Sequence, residues 1–84
     1  MQGYEYYFVF MEIKVICFGY IADNLKSENV IDVPDGTLVG QLSEILNFDS
    51  EKVAMYFIGD ERIDSDFSLT PGDIVKIFPP ITGG

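Results

Sequence analysis

The 84-residue chain carries 5 lysines and arginines against 14 aspartates and glutamates, a formal net charge of −9, and it contains no histidine. One domain is the most that this length allows, and because so short a chain buries only about 60% of its unfolded surface, a deep enclosed active site is not expected. The basic residues are few and scattered, which excludes non-specific nucleic-acid binding, and the acidic balance favours basic protein partners. Without an imidazole the chain lacks the usual general base and the commonest zinc ligand, so we expect no catalytic machinery of its own.

Residues 1–10, MQGYEYYFVF, are rich in apolar and aromatic side chains. They lack the basic start, long aliphatic run and small-residue cleavage site of a signal peptide, and no segment of the chain is long enough to span a membrane. Met11 stands where the first strand is predicted to begin. We therefore interpret residues 1–10 as an N-terminal extension, optional or non-native, and residues 11–84 as the domain.

The first two strands are predicted from alternating apolar residues. Residues 11–18 place Ile13, Val15 and Cys17 on one face, which is the period of a strand. Residues 19–29 have weak periodicity and predict a loop with one helical turn at residues 21–25. A shorter strand, residues 30–33, should stop at Pro34 because proline cannot donate to the ladder.

The main helix is predicted to begin at Thr37 as the N-cap. Its apolar positions follow at helical spacing and would form the buried stripe: Leu38, Leu42, Ile45 and Leu46. Gly40 within this helix predicts a close approach of the helix to the sheet.

The second half of the chain predicts three further strands. Residues 53–58 and 61–63 form a hairpin around Gly59-Asp60, and residues 74–78 form the last strand after a turn at residues 70–73, with Phe67 and Leu69 contacting the core before it. We place the last strand centrally, beside the first. The fold class is therefore α+β: a grasp with a mixed sheet of four to five strands and one main helix packed on one face.

Cys17 is the only cysteine, which excludes an internal disulfide and favours a cytoplasmic location. It shares a strand face with Val15 and has no histidine to activate it, so we interpret it as a buried structural residue. The acidic residues near Asp60 lack calcium-loop spacing and predict a solvated turn. No metal site is assigned.

Residues 79–84, PPITGG, form the C-terminal tail. Pro79 and Pro80 end the ladder and favour an extended backbone. Gly83 and Gly84 have no Cβ and can enter a narrow channel, which leaves the terminal carboxylate open to reaction. Ile81 has little core to reach and predicts a hydrophobic contact with a partner. For Phe78, closing the core and contacting a partner both remain open.

The ending Phe78-Pro79-Pro80-Ile81-Thr82-Gly83-Gly84, with the turn and strand of residues 69–77 before it, resembles the ubiquitin-like sulfur carriers of the MoaD/ThiS type. Within them it is most similar to the small subunits of molybdopterin synthases. The similarity covers residues 11–84. Residues 1–10 have no counterpart in the family pattern, and residues 19–29 look less helical than that pattern.

The resemblance implies a β-grasp carrier that binds no cofactor itself. A MoeB-like activating enzyme would use ATP and Mg to adenylate the carboxylate of Gly84. A sulfur donor such as a cysteine desulfurase or rhodanese would then convert it to a thiocarboxylate. The tail residues Ile81, Thr82 and Gly83 would enter the active site of a MoaE-like large synthase subunit, with Phe78, Pro79 and Pro80 contacting the partner. No nucleic acid and no membrane are implied.

Two other functions use the same tail. A ubiquitin-like protein modifier would form isopeptide bonds through Gly84, and a thiamine or transfer-RNA thiolation carrier would differ only in the sulfur acceptor. The closely similar tungsten cofactor is a further acceptor pathway. The sequence separates the carrier and the modifier poorly, because adenylation of the tail is common to them, whereas the long connection at residues 19–29 favours the molybdopterin branch over the thiamine carrier.

Overall fold

The computed structural model describes residues 9–22 and 26–81. The strands of this part of the chain are β1 to β5, which cover, in order, Phe10–Cys17, Glu28–Pro34, Met55–Ile58, Glu61–Ile63 and Ile74–Phe78. The α-helix α1 covers Leu42–Leu46, and three 3-10 helices cover Gly19–Ala22, Val39–Gln41 and Ser50–Lys52.

The strands form one mixed sheet in the order β2-β1-β5-β3-β4. The last strand is central, as predicted: β5 runs parallel to β1, with Val15 opposite Val75, and antiparallel to β3. Strands β2 and β4 each pair antiparallel on the outside. The α+β grasp predicted from the sequence is therefore confirmed.

The core lies on one face of this sheet, which we call the inner face. Alternate residues of β1 and β5 are buried there, as their period-two pattern predicts, and the helical segment and the following loops cover them. The fully buried side chains of the described residues are Ile13, Val15, Val33, Val39, Leu42, Val75 and Ile77. The remaining side chains of β5 point to the opposite, outer face.

The strand boundaries differ slightly from prediction. Strand β1 begins at Phe10 and ends at Cys17, one residue earlier at each end than expected. Strand β2 is longer than predicted and includes Pro34, opposite Phe10. Because β2 is an edge strand, a proline there need not donate to a neighbour.

The predicted turn of helix at residues 21–25 is instead a 3-10 helix at Gly19–Ala22. Residues 23–25 of that prediction lie outside the described residues. Ile21, within the 3-10 helix, is buried and attaches this connection to the core.

The prediction that a helix begins at Thr37 is wrong. Thr37 is buried, and its hydroxyl donates to the carbonyl of Pro34 at 2.6 Å. The next amides bond elsewhere, Val39 N to the Phe67 carbonyl at 2.9 Å and Gly40 N to the Ser65 carbonyl at 2.7 Å. These long-range bonds hold the segment against the loop before β5, so α1 starts only at Leu42.

The buried stripe of the helical segment shifts as a result. Val39 and Leu42 are fully buried, Leu46 packs at the edge of the core, and Ile45 is 45% exposed instead of belonging to the stripe. The helix ends at Leu46, and the following Asn47 caps it with a left-handed φ of 59°. The close approach expected at Gly40 is present, but it is to Ser65 in a loop and not to the sheet: a Cβ on Gly40 would lie 3.0 Å from Ser65 Cβ and Ser65 O.

The turn before the last strand forms as predicted. Asp73 N donates to the Thr70 carbonyl at 3.1 Å, and Gly72 takes a φ of 84°. The Asp73 carboxylate accepts from Thr70 N at 2.8 Å and from the Thr70 hydroxyl at 3.0 Å. This turn fixes the start of β5, and therefore the register of the strand that leads into the tail.

Across residues 9–22 and 26–81, no helix has the length and apolar character needed to cross a membrane. The same residues contain no group of three or more His, Cys, Asp or Glu side chains arranged to hold a metal ion.

Candidate functional site

The tail leaves the domain directly from the central strand. Strand β5 ends at Phe78, after which Pro79 is half-buried, Pro80 is exposed and Ile81 is 92% exposed. Neither proline has an amide hydrogen, so the ladder cannot continue into the tail. The predicted residues Thr82, Gly83 and Gly84 lie outside the described residues.

The last carbonyls of β5 accept hydrogen bonds from both sides. Phe18 N donates to the Ile77 carbonyl at 3.0 Å, and Ala54 N donates to the Phe78 carbonyl at 2.8 Å. Phe18 follows β1, and Ala54 precedes β3, so the neighbouring strands on either side hold the end of β5. The root of the tail is therefore fixed by backbone bonds up to Phe78.

Phe78 lies on the outer face of the sheet, away from the core. Its ring stacks on Phe18, with centroids 4.5 Å apart and planes within 5°, and meets the edge of Phe57 at 5.6 Å and 87°. Of the two roles that the sequence left open for Phe78, closing the core is not the one observed. The ring is half-buried by its aromatic neighbours and keeps an accessible surface.

A mixed aromatic and cationic surface surrounds the tail root. Lys76 precedes Phe78 on the same face and lies opposite Phe57 across the ladder. Together with the Gly59-Asp60 turn, Phe57, Lys76 and Phe78 line an open depression. We call Phe18, Phe57, Lys76 and Phe78 the tail-root patch.

The outer face carries three basic residues, and the strand register places Glu12, Glu28 and Asp32 on its β1–β2 side. By strand register, Lys14, Arg62 and Lys76 all project to this face, and they are three of the five basic residues of the chain. Lys14 is engaged in an ion pair with Glu28. The overall acidity favours basic partners, whereas the tail-root patch offers a cation beside aromatic rings, a surface that fits acidic and apolar partner groups.

Sequence reasoning missed Phe18, Phe57 and Lys76 as neighbours of the tail. The sequence did contain a signal for part of this surface. Residues i and i+2 of a strand lie on the same face, so if Lys76 faces solvent, Phe78 lies on that face too. The contribution of Phe18 and Phe57 could not be read in this way, because it depends on the register between strands that are far apart in sequence.

Cys17 is a buried residue of the inner face, as predicted. Its side chain is 2% exposed among core residues, and burial raises the pKa of the thiol. Both effects oppose thiolate chemistry. Cys17 therefore takes no part in the surface around the tail.

Comparison with known proteins supports a relationship over most of the chain. The model of the ThiS family matches residues 15–84. Comparison with curated proteins gives no match.

Solved structures share the whole fold. The solution structure of the HVO 2177 protein from Haloferax volcanii is 20% identical and covers 100% of both chains, with a TM-score of 0.72. The ubiquitin of Caldiarchaeum subterraneum is 13% identical and covers 90% of this chain and 100% of its own, with a TM-score of 0.61. These two likenesses establish a ubiquitin-like β-grasp.

A third solved structure is the complex of subunits 1 and 2 of the molybdopterin-converting factor from Helicobacter pylori 26695. The matched chain of that structure is 25% identical in sequence, and the match covers 88% of the present chain and 100% of its counterpart, with a TM-score of 0.59. The family model reaches residue 84 and so includes the diproline and the two terminal glycines. The chain thus belongs to the ThiS family and is a ubiquitin-like sulfur carrier.

Proposed function

We propose that the chain carries sulfur as a thiocarboxylate on Gly84 and delivers it in molybdopterin synthesis as the small subunit of the synthase. The observation that carries this proposal is the ThiS-family match, which continues through Gly83-Gly84. The likeness to the two-subunit molybdopterin-converting factor supports the molybdopterin branch and a large-subunit partner.

The tail supplies the reacting carboxylate, and a partner enzyme activates it. A carboxylate oxygen of Gly84 attacks the α-phosphorus of ATP, and pyrophosphate leaves, so that a mixed anhydride with AMP is formed. Magnesium on the partner neutralises the phosphate charge during this step. Activation is required because a free carboxylate is a poor electrophile and has no good leaving group.

Sulfur then replaces AMP. The terminal sulfur of a donor persulfide attacks the carbonyl carbon of Gly84, and AMP leaves with the former carboxylate oxygen. A second thiol on the donor side cleaves the sulfur–sulfur bond, which frees the thiocarboxylate and leaves a disulfide on the donor. A cysteine desulfurase or a rhodanese is the class of donor that supplies such a persulfide.

The described residues suit the docking that this cycle needs. Ile81 is 92% exposed and stands between the fixed root and the reactive end. The tail-root patch lies at the base of the tail, where a partner that encloses the tail would meet Phe78 and Lys76. Gly83 and Gly84 offer the least side-chain bulk to a narrow active-site channel.

Intact-mass analysis after incubation with the activating enzyme, a sulfur donor, ATP and Mg tests the proposal. The expected product gains the mass difference between one sulfur and one oxygen, and fragmentation places this gain on Gly84. A chain shortened by Gly83 and Gly84 is the matched control, since oxidation of methionine adds a similar mass and would persist in it. Failure of the full chain to acquire sulfur on Gly84 contradicts the proposal.

The sulfur acceptor is tested separately. Purified thiocarboxylated chain, mixed with the large synthase subunit and a pterin precursor, should lose its sulfur and yield a dithiolene-bearing pterin. Covalent ladders on lysines of other proteins would instead indicate a protein modifier. Transfer to a thiamine precursor or to transfer RNA, with none to the pterin, would overturn the molybdopterin assignment and retain the carrier.

A further inference from the structure

We propose that Gly19 is a positioning residue for the tail: its missing side chain makes room for the Pro79 ring, and this contact sets the direction in which Pro80 and Ile81 leave the sheet. That this direction serves to place Gly84 in the active site of a partner rests on the proposed carrier function. The contact itself belongs to the fold and can be tested without any partner.

The two residues touch where the tail begins. A Cβ on Gly19 would lie 2.8 Å from Pro79 Cγ and 3.5 Å from Pro79 Cδ. Contacts under 3.0 Å are not tolerated by a real Cβ, so any other residue at position 19 must displace something. Pro79 is half-buried, whereas Pro80 after it is exposed, so of tail residues 79–81, which the structure describes, Pro79 is the one that packs against the domain.

Both sides of this contact are tied to the domain. Gly19 begins the 3-10 helix whose Ile21 is buried in the core, and the preceding Phe18 is bonded to β5 through its amide. The Pro79 ring is closed onto its own backbone, and its pucker is its one internal freedom. The part of the overlap at Cγ that a change of pucker does not absorb displaces the Pro79 backbone, and with it the exit direction of the tail.

This displacement matters because the tail is short. Five residues follow Pro79, and fully extended they span at most about 17 Å. A partner that binds the outer face must therefore receive the carboxylate within this distance of Pro79. Misplacing a reacting group by about 1 Å can cost up to about a hundredfold in rate.

Gly19 has a second reason to be glycine, its φ of +62°, and the two reasons can be separated. Gly36 also has a positive φ, +87°, but a Cβ there would have no atom within 4 Å. The two glycines lie at opposite ends of β1. Gly36 follows β2, whose last residue pairs with the first residue of β1, and Gly19 comes just after the last residue of β1. Gly36→Ala therefore reproduces the backbone strain without touching the tail.

The test is a cycle of Gly19→Ala, Pro79→Ala and the double variant, with Gly36→Ala as the strain control. Residual dipolar couplings of the amides of residues 81–84, measured against those of the strands, report the mean direction of the tail in the isolated chain. Gly19→Ala should change the tail couplings and leave those of the sheet unchanged. Pro79→Ala frees φ and restores an amide hydrogen, so it is the reference for the double variant. The double variant should have the tail couplings of Pro79→Ala, because the Cγ that the new Cβ would meet is absent from both.

The functional arm measures steady-state adenylation of each variant. Gly19→Ala should lower kcat about tenfold or more with KM within about twofold, since docking of the domain is retained and only the reacting group is misplaced. Gly36→Ala should match the parent, and the double variant should have the kcat of Pro79→Ala, so that the effect of Gly19→Ala disappears when the Pro79 ring is absent. A thermal melt of each variant defines the temperature at which all are folded.

Unchanged tail couplings in folded Gly19→Ala, or equal changes in Gly36→Ala, would overturn the positioning role. If Gly19→Ala does not fold while the strain control Gly36→Ala does, recovery of folding in the double variant supports the contact, and no recovery contradicts it. Absence of adenylation in the parent chain would contradict the proposed function. The dipolar couplings would still test whether the Gly19–Pro79 contact sets the direction of the tail.

Discussion

The ring of Phe18 lies flat on the ring of Phe78, with centroids 4.5 Å apart and planes within 5°. The pair joins the residue after the first strand to the last residue of the last strand, on the face opposite the core. Aromatic pairs contribute about 0.5–1.5 kcal/mol beyond the area that they bury. The stack should therefore make a measurable contribution to the free energy of unfolding, by joining the residue after β1 to the end of β5.

We predict that Phe18→Ala and Phe78→Ala are coupled. In a double-mutant cycle followed by denaturant unfolding, the two substitutions should show an interaction free energy of about 0.5–1.5 kcal/mol, since each removes the same ring contact. Phe67, which is exposed to the same extent as Phe18 and belongs to neither ring pair, provides the control cycle with Phe78. Additive effects in the Phe18–Phe78 cycle would show that the stack does not stabilise the domain.

Ile81→Ala should weaken activation without weakening the fold. Its side chain is 92% exposed, so its removal should change the free energy of unfolding by less than about 0.5 kcal/mol. If it contacts the activating partner, kcat/KM for adenylation should fall about tenfold, as for a truncated interface anchor. Ile45→Ala is the matched control, an exposed isoleucine on the helical segment that covers the inner face. Equal adenylation of the Ile81→Ala and parent chains would remove Ile81 from the contact.

Stability should decrease at alkaline pH through Cys17. Burial raises the pKa of its thiol in the folded chain, so as the pH rises the unfolded chain releases this proton first. The protonated thiol contributes fully to the free energy of unfolding below the ordinary thiol pKa of about 8.5. Above that pH its contribution declines, by at most about 1.4 kcal/mol per pH unit. Unfolding free energies measured from pH 7 to 10 should show this decline, and Cys17→Ala should reduce it; the decline that remains near pH 10 belongs to Tyr56, whose pKa burial also raises. An identical pH dependence in the two chains would be incompatible with this account.

Gly40→Ala should destabilise the domain, although alanine favours helices. A Cβ at position 40 would lie 3.0 Å from both Ser65 Cβ and Ser65 O, and that carbonyl is bonded to Gly40 N at 2.7 Å. Overpacking of this kind costs about 1–3 kcal/mol, which exceeds the gain in helix propensity. Thermal or denaturant unfolding measures the change. Ser65→Gly in the same background should restore only part of the lost stability, because the backbone oxygen of residue 65 remains. A Gly40→Ala chain that is more stable than the parent would show that the loop at Ser65 moves away and removes the overlap.

The strands could be predicted because their signal is local. The alternation of Val75 and Ile77 around Lys76 requires a strand buried on one face, and a grasp places such a strand beside the first. The diproline and the two glycines could likewise be assigned to a tail from their own chemistry.

The helix start and the tail root could not be predicted, because both depend on contacts between distant segments. Thr37 is a good N-cap by residue type, but the amides after it bond to the carbonyls of Ser65 and Phe67. Gly19 and Pro79 are 60 positions apart, and no pattern in either segment records that they touch.

The central place of β5 has a consequence for folding. It lies between β1 and β3, so the sheet is continuous only when β5 is paired on both sides. Without β5 the strands would form two separate hairpins, β1–β2 and β3–β4, and an isolated two-stranded hairpin is at best marginally stable in water. The strand that carries the root of the tail is therefore also the strand that joins the two halves of the domain.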